Sequence, residues 1–319
     1  MSTQTIARGQ STENTADSFG VTPVNKVKRV HERGRYDRKT VYEILDAALV
    51  CHIAYVIDGR PYCTPTSFWR EGDHLYWHGS SASRMIRTQG QGVPVCLTVT
   101  HLDALVMARS GFHHSVNYRA VMAFGTAHIV DDPEKKLKLM DRFIDRIYPG
   151  RSKLIRQPNT QEFKATTMMT MEIEHASGKI RDKHVADEEE DYAGVPAWSA
   201  LYPVTQVIGT PSECERQIPG LERPEGMADF EPGTRLDELM TKSYRRTFGR
   251  RSIGDSKAMA ASPASDLFHK DIGLPTLQSQ DLAEFVSCAS NVALLPVQEG
   301  TMSVRLQIGP LGPRRRQQG

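Results

Sequence analysis

RPYCTPTSFW (Arg60–Trp69), HLYWHG (His74–Gly79) and SSASRMIRT (Ser80–Thr88) follow one another in the chain, and their reading decides the fold. The first two carry the aromatic and β-branched residues that suit a pleated surface. The third begins on hydroxyls and continues as a short helix. Two more strand-like runs follow, PVCLTVT (Pro94–Thr100) and DALVMAR (Asp103–Arg109), and these read as a hairpin. NYRAVMAFGTAHIV (Asn117–Val130) then reads as a long strand. Strand, strand, polar turn, strand, strand and long strand describe a small antiparallel barrel able to hold a phosphorylated ligand against its wall.

Upstream, Val41, Ile44, Leu45, Ala48 and Leu49 share one helical face over Asp37–Leu49, with Asp37 as N-cap. VCHIAYV (Val50–Val56) is a strand, and Asp58-Gly59 supplies the hairpin turn into Arg60–Trp69. Pro61 and Pro65 cannot donate to a ladder, so this second strand is expected at an edge or a bulge. Downstream, Asp132-Pro133 starts a helix reaching about Tyr148, with Leu137, Met140, Phe143, Ile144 and Ile147 on its inner face. Thr166–Glu174 is the last clear strand, and Asp187–Asp191 reads as a solvated acidic loop. The segment Tyr192–Pro203, with Trp198, is expected to form a short helix packed back on the barrel, and Trp69, Trp77 and Trp198 to lie in the core or at a subunit interface. The fold class is therefore mainly β with α decoration. Residues 1–30 are expected as a disordered or loosely docked arm, 31–205 as the barrel domain, 206–240 as a Pro/Gly-rich extension and 241–319 as a disordered basic tail.

Composition narrows the function classes. The formal net charge is only +2, and residues 241–319 carry 11 basic against 6 acidic residues, so the body is nearly neutral. Such a body gives no general pull on nucleic acid. No apolar run is long enough for a membrane span and no secretory h-region opens the chain, so a cytoplasmic protein is expected. The five cysteines form no CxxC pair, and no metal site is signalled. Cys51, Cys63 and Cys96 lie in apolar runs and read as small core residues. GxGxxG after a strand, GxxxxGK[ST], HExxH and GxSxG are all absent.

Two readings of Gly79-Ser80-Ser81-Ala82-Ser83-Arg84 stand on residue chemistry alone. It is a serine N-cap with a surface arginine, or it is a phosphate site of hydroxyls, helix-start N–H groups and a guanidinium. His113-His114 read as polar loop residues.

Together these segments, with LYWHGSSASRM and MMTMEIEHASGKIR, resemble the pyridoxamine 5′-phosphate oxidase-like FMN-binding split-barrel family over roughly residues 30–205. The flavin-nucleotide-binding, nitroimidazole-resistance-protein-like branch is the most similar. The resemblance implies an antiparallel split β-barrel with FMN as cofactor. It implies that Pro65, Thr66, Ser67 and Phe68 line the flavin ring, that His78 lies at its edge, and that Ser83 and Arg84 hold the phosphate. Tyr118 and Arg119 would close the phosphate end, and Lys179 and Arg181 would reach the cofactor or a partner subunit. It further implies a homodimer with cofactor at the subunit interface and an oxidoreductase acting on a small molecule, with no catalytic residue assigned. The arginine- and tryptophan-bearing C-terminal segment that grips a vitamin B6 substrate is missing. A non-catalytic flavin module and a haem protein using His52, His78, His113 or His114 are the alternatives.

Overall fold

A computed structural model of the chain describes residues 15–249. Nine strands form one sheet: β1 (Gly34–Arg35), β2 (Val50–Ile57), β3 (Arg60–Glu71), β4 (His74–Ser80), β5 (Pro94–Met107), β6 (Ser115–Ile129), β7 (Thr166–Glu172), β8 (His175–Arg181) and β9 (Ala200–Pro203). Their order is β1-β8-β6-β7-β4-β3-β2-β5-β9, and an added β5–β6 pairing closes β2 to β7 into a ring. β6 serves two neighbours. Its first part, Tyr118–Phe124, pairs with β8, while Ala127–Ile129 pairs with β7. The barrel is split there. Gly125 marks the crossing, because a Cβ on it would stand 2.2 Å from the Glu172 carbonyl oxygen.

Local signals explain most elements. Asp37 caps α1 (Arg38–Asp46), its side chain accepting from Thr40 N. Asp58 and Gly59 both take positive φ (49° and 74°), the geometry of a two-residue hairpin turn. α2 (Arg84–Gln89) crosses β4 so closely that a Cβ on Gly79 would meet Ile86 at 2.8 Å. Asp132 caps α3 (Pro133–Ile147). α4 (Thr160–Ala165), α5 (Glu189–Gly194) and α6 (Leu236–Phe248) complete the helices. Inside the barrel Ile53, Phe68, Leu75, Trp77, Leu97 and Ala123 form the main core. Trp77 Nε1 donates to Gln89 Oε1 at 3.0 Å, which satisfies the one polar atom this tryptophan brings inside.

Several expectations are corrected. The hairpin expected over Val95–Arg109 is one strand with a bulge between Leu102 and Ala104. The strand expected over Thr166–Glu174 ends at Glu172, and a separate β8 pairs elsewhere. In α3, Met140 and Phe143 of the expected inner face pack against the Trp69–Leu139 cluster, but Leu137 is exposed and Arg146 is buried, received by the Met240 carbonyl of α6. α6 itself crosses the boundary expected at residue 241. The arm from residue 15 to 30 is docked: Phe19 is buried in the main core, and Asn25 donates to Gly20 and Ala176 carbonyls. Residues 1–14 and 250–319, including Cys288, lie outside the described residues. The acidic run is partly structured, since Asp187 accepts from the Arg109 backbone N–H at 2.9 Å and its side chain is fully buried. Of the cysteines expected in the core only Cys51 is buried; Cys63 is exposed. Trp198 precedes a strand, not a helix core, and is 69% exposed.

α1, β3, α3 and α6 meet at a buried charge cluster. Arg70 forks onto Asp46 at 3.0 and 2.5 Å. Arg146 donates to the carbonyls of Met240, Asp46 and Ala48 at 2.9, 2.6 and 3.1 Å. Burial pulls the Arg146 guanidinium down to about 10, opposed by the charge of Asp46, so it stays protonated. This knot fixes the helical layer to the barrel. Among the described residues no helix is long and apolar enough to cross a membrane.

Candidate functional site

The site follows from where β3 and β4 part. Their ladder runs from Glu71↔His74 to Phe68↔Trp77 and stops. Continued, it would set Ser67 against His78 and Thr66 against Gly79. Instead Arg60–Ser67 pairs only with β2, while His78–Ser80 pairs with β7. Pro61 and Pro65 sit in this one-sided stretch, as proline chemistry requires. The backbone of Thr64–Ser67 therefore presents an unpaired edge beside β4 and α2.

Ser83 caps α2 without a side-chain hydrogen bond, so its hydroxyl is uncommitted among the described residues. Arg84 is exposed and makes no ion pair there. Its guanidinium carbon lies 4.4 Å from the Tyr62 ring centroid, and Tyr62 stacks on Tyr55 at 5.7 Å. α2 has only six residues, so the anion-binding capacity here rests on the Ser83 hydroxyl and the Arg84 fork, and little on a helix dipole. A groove of about 510 Å³ opens beside Tyr62, lined by Tyr55, Pro94, Phe124 and His175 among others. A smaller one of about 210 Å³ adjoins it along Val24 and Phe124 and carries Lys26, Lys28, Arg29 and Lys179.

The structure thus brings Pro65, Thr66 and Ser67 to the open edge of β3 and places Ser83 and Arg84 at the start of the helix that follows β4. Phe68 is buried in the barrel core. His78 is the first residue of β4 beyond its last pair with β3, but its side chain packs away from the split. Its ring packs against Phe143 of α3 at 4.5 Å, its Nδ1 is buried without a hydrogen-bond partner, and burial lowers its pKa, so it is neutral near pH 7. Tyr118 and Arg119 lie ten and nine residues from Ala127–His128 along β6, on the order of 30 Å from the end that meets α2. Arg119 is committed elsewhere: it forks onto Asp103 and reaches Asp237 of α6 at 3.0 Å. Burial pushes Asp237 up, but hydrogen bonds from Arg235 and Arg119 outweigh it and hold the carboxyl at about 2. Arg181 is likewise bound to Asn117, whereas Lys179 lines the smaller groove. The sequence reading missed Tyr55 and Tyr62; their alignment became visible only with the Tyr55↔Tyr62 register.

The fold is that of a split-barrel protein, with an open strand edge on β3 beside the serine-arginine turn that starts α2. A sequence model described as pyridoxamine 5′-phosphate oxidase matches residues 37–180. Two solved structures are similar over most of their own length. The flavocytochrome Anf3 from Azotobacter vinelandii is 38% identical, with a TM-score of 0.62, the match covering 66% of this chain and 98% of that one. The FAD and heme binding protein from Mycobacterium smegmatis is 30% identical, with a TM-score of 0.60, covering 64% and 98%. No curated protein matches by sequence. The chain belongs to the pyridoxamine 5′-phosphate oxidase-like family.

Proposed function

We propose that the protein binds a flavin in the split between β3 and α2 and a haem elsewhere on the barrel, and that it works as a flavin-dependent oxidoreductase on a small molecule. The observation that carries this reading is that the two relatives described above are named for these two groups, one a flavocytochrome and one an FAD and heme binding protein, and that this chain covers 98% of each. The residues fit a flavin. The open backbone of Thr64–Ser67 offers hydrogen bonds to the polar edge of the ring, and Ser83 and Arg84 suit its phosphate. A guanidinium near a reduced flavin favours its anionic form. FMN needs only the split; FAD would extend into the groove beside Tyr62, whose volume of about 510 Å³ has room for an adenine. When bound, the flavin supplies hydride or single-electron chemistry, while the chain binds, orients and shields it.

The exposed side chains of Val50, Val56 and Met122 on the outer face of β2 and β6 suit a homodimer with the flavin at the subunit interface. Light scattering of the purified protein at the mass of one chain would count against it. The catalytic reading is tested by steady-state oxidation of NADH or NADPH with a soluble electron acceptor. Turnover that depends on bound flavin supports an oxidoreductase. A flavin-loaded protein that stays inert with each donor and is not reduced supports a binding or storage module instead. Chromatography of the heat-released chromophore names the flavin as FMN or FAD.

A further inference from the structure

Resting on the flavin reading above, we propose that the smaller groove is a second anion site, separate from Ser83 and Arg84, and that it holds the phosphates of a nucleotide co-substrate phosphorylated on its ribose, as NADPH is. The groove lies between the docked arm and β8. Lys26, Lys28 and Arg29 come from the arm and Lys179 from β8, and no carboxylate lines it. Among the described residues none of these four side chains makes a hydrogen bond or an ion pair. Surface charge is ordinarily mixed in sign. Cations gathered along one concave surface instead focus a positive potential that draws in anions. Lysines on a loose segment would simply be solvated, but this segment is fixed. Asn25 is buried and ties it to the Ala176 carbonyl of β8 at 3.0 Å. The Val27 backbone N–H donates to the Tyr36 hydroxyl at 2.8 Å.

The groove is sized for part of a ligand. Its volume of about 210 Å³ falls below the roughly 300–1,000 Å³ of a site for a whole small molecule. It continues into the groove of about 510 Å³, since Val24 and Phe124 line both. The larger groove is mostly apolar, and its carboxylate, Glu174, is bound to the backbone N–H and hydroxyl of Thr126. Its aromatic residues, Tyr62 and Phe124 among them, suit a base. A ring in one groove and phosphates in the next is the layout of a nucleotide. One phosphate monoester carries about −1.5 to −2 charges, so the four cations match more than one phosphate. The flavin does not supply them. Arg84 lies over Tyr62 of β3, while Lys179 is on β8, with β2, β5 and β6 between these strands in the sheet. Four strand spacings are on the order of 20 Å along the sheet. The two phosphates of FAD are joined to each other, so a pair seated at Arg84 leaves this groove free.

The test is a calorimetric titration of the full-length protein with 2′,5′-ADP, the phosphorylated adenosine half of NADPH, and with 5′-AMP. Wild type should bind 2′,5′-ADP roughly 10-fold or more tightly than 5′-AMP, and less tightly as salt rises. Arg29→Ala and Lys179→Ala should each weaken 2′,5′-ADP by roughly 3- to 10-fold. Lys179→Arg keeps the charge and should bind like wild type. Neither side chain has a partner to lose, so melting of the variants should match wild type. Their FMN affinity, followed by fluorescence quenching, should also be unchanged. A protein that does not bind 2′,5′-ADP, or binds it equally in wild type and the alanine variants, would overturn the site and leave the flavin reading standing. Alanine variants that lose FMN or FAD together with 2′,5′-ADP would overturn it as a separate site and give the groove to the flavin. A wild-type protein that binds 2′,5′-ADP through these cations but takes up neither flavin would overturn the flavin reading and leave the phosphate site standing.

Discussion

Replacing Arg84 with alanine isolates the proposed phosphate contact with little structural side effect. Among the described residues the guanidinium forms no hydrogen bond or ion pair, and it lies over the Tyr62 ring at 4.4 Å. An exposed cation–π contact is worth about 0.5–1 kcal/mol, so melting should fall by only a few degrees. A charge-assisted hydrogen bond to phosphate contributes about 1.5–3 kcal/mol. That converts to a flavin dissociation constant raised roughly 10- to 150-fold. Arg84→Lys keeps the charge but loses the planar fork, and should fall between wild type and alanine. Fluorescence quenching titrations of FMN, FAD and riboflavin at two ionic strengths would measure this. Riboflavin lacks the phosphate, so its affinity should be the same in wild type and Arg84→Ala. Equal FMN affinities in wild type and Arg84→Ala, or an equal loss for riboflavin, would refute the phosphate role.

Other outcomes follow from the packing. Arg146→Ala removes the donor for three buried carbonyl oxygens and leaves a cavity between α3 and α6; urea denaturation should show a loss of about 3–5 kcal/mol, as for other broken buried charge networks. Gly125→Ala forces a methyl to 2.2 Å from the Glu172 carbonyl oxygen at the crossing of β6; the cost should be about 1–3 kcal/mol by the same assay, with a variant as stable as wild type showing that the crossing relaxes freely. Asp237 is held at about 2 when folded against roughly 3.9 unfolded. Its depressed pKa therefore contributes stability that is complete above about pH 4 and is lost as pH falls toward 2. An Asp237→Asn variant should flatten this part of the pH–stability curve, and an unchanged slope would remove Asp237 from the account.

Elements governed by neighbouring residues were legible in the sequence. The Asp37 and Asp132 caps, the Asp58-Gly59 turn and the edge character of the Pro61–Pro65 stretch all stand where their chemistry put them. What was not legible depended on distant partners. The bulge near Asp103 shifts the alternation of β5 by one residue, so one strand reads as two. On α3, Met140 and Phe143 pack inward as expected, but the burial of Arg146 was not legible, because it points inward only when α6 and the carbonyls of Asp46 and Ala48 are there to receive it. For the site, the serine-arginine turn and the proline-marked strand were visible as motifs. Nothing near Arg119 in sequence reveals that Asp103 and Asp237 claim it. His78 likewise alternates with apolar residues like an ordinary strand position, and only the tertiary fold puts Phe143 over it.

A visible absorption spectrum of the purified full-length protein, taken before and after addition of FMN, FAD and hemin, tests the central claim most directly. The account predicts flavin bands together with a Soret band, present as purified or appearing on addition. A protein that is colourless and takes up none of the three would contradict it, leaving the split barrel without the cofactors it is proposed to hold.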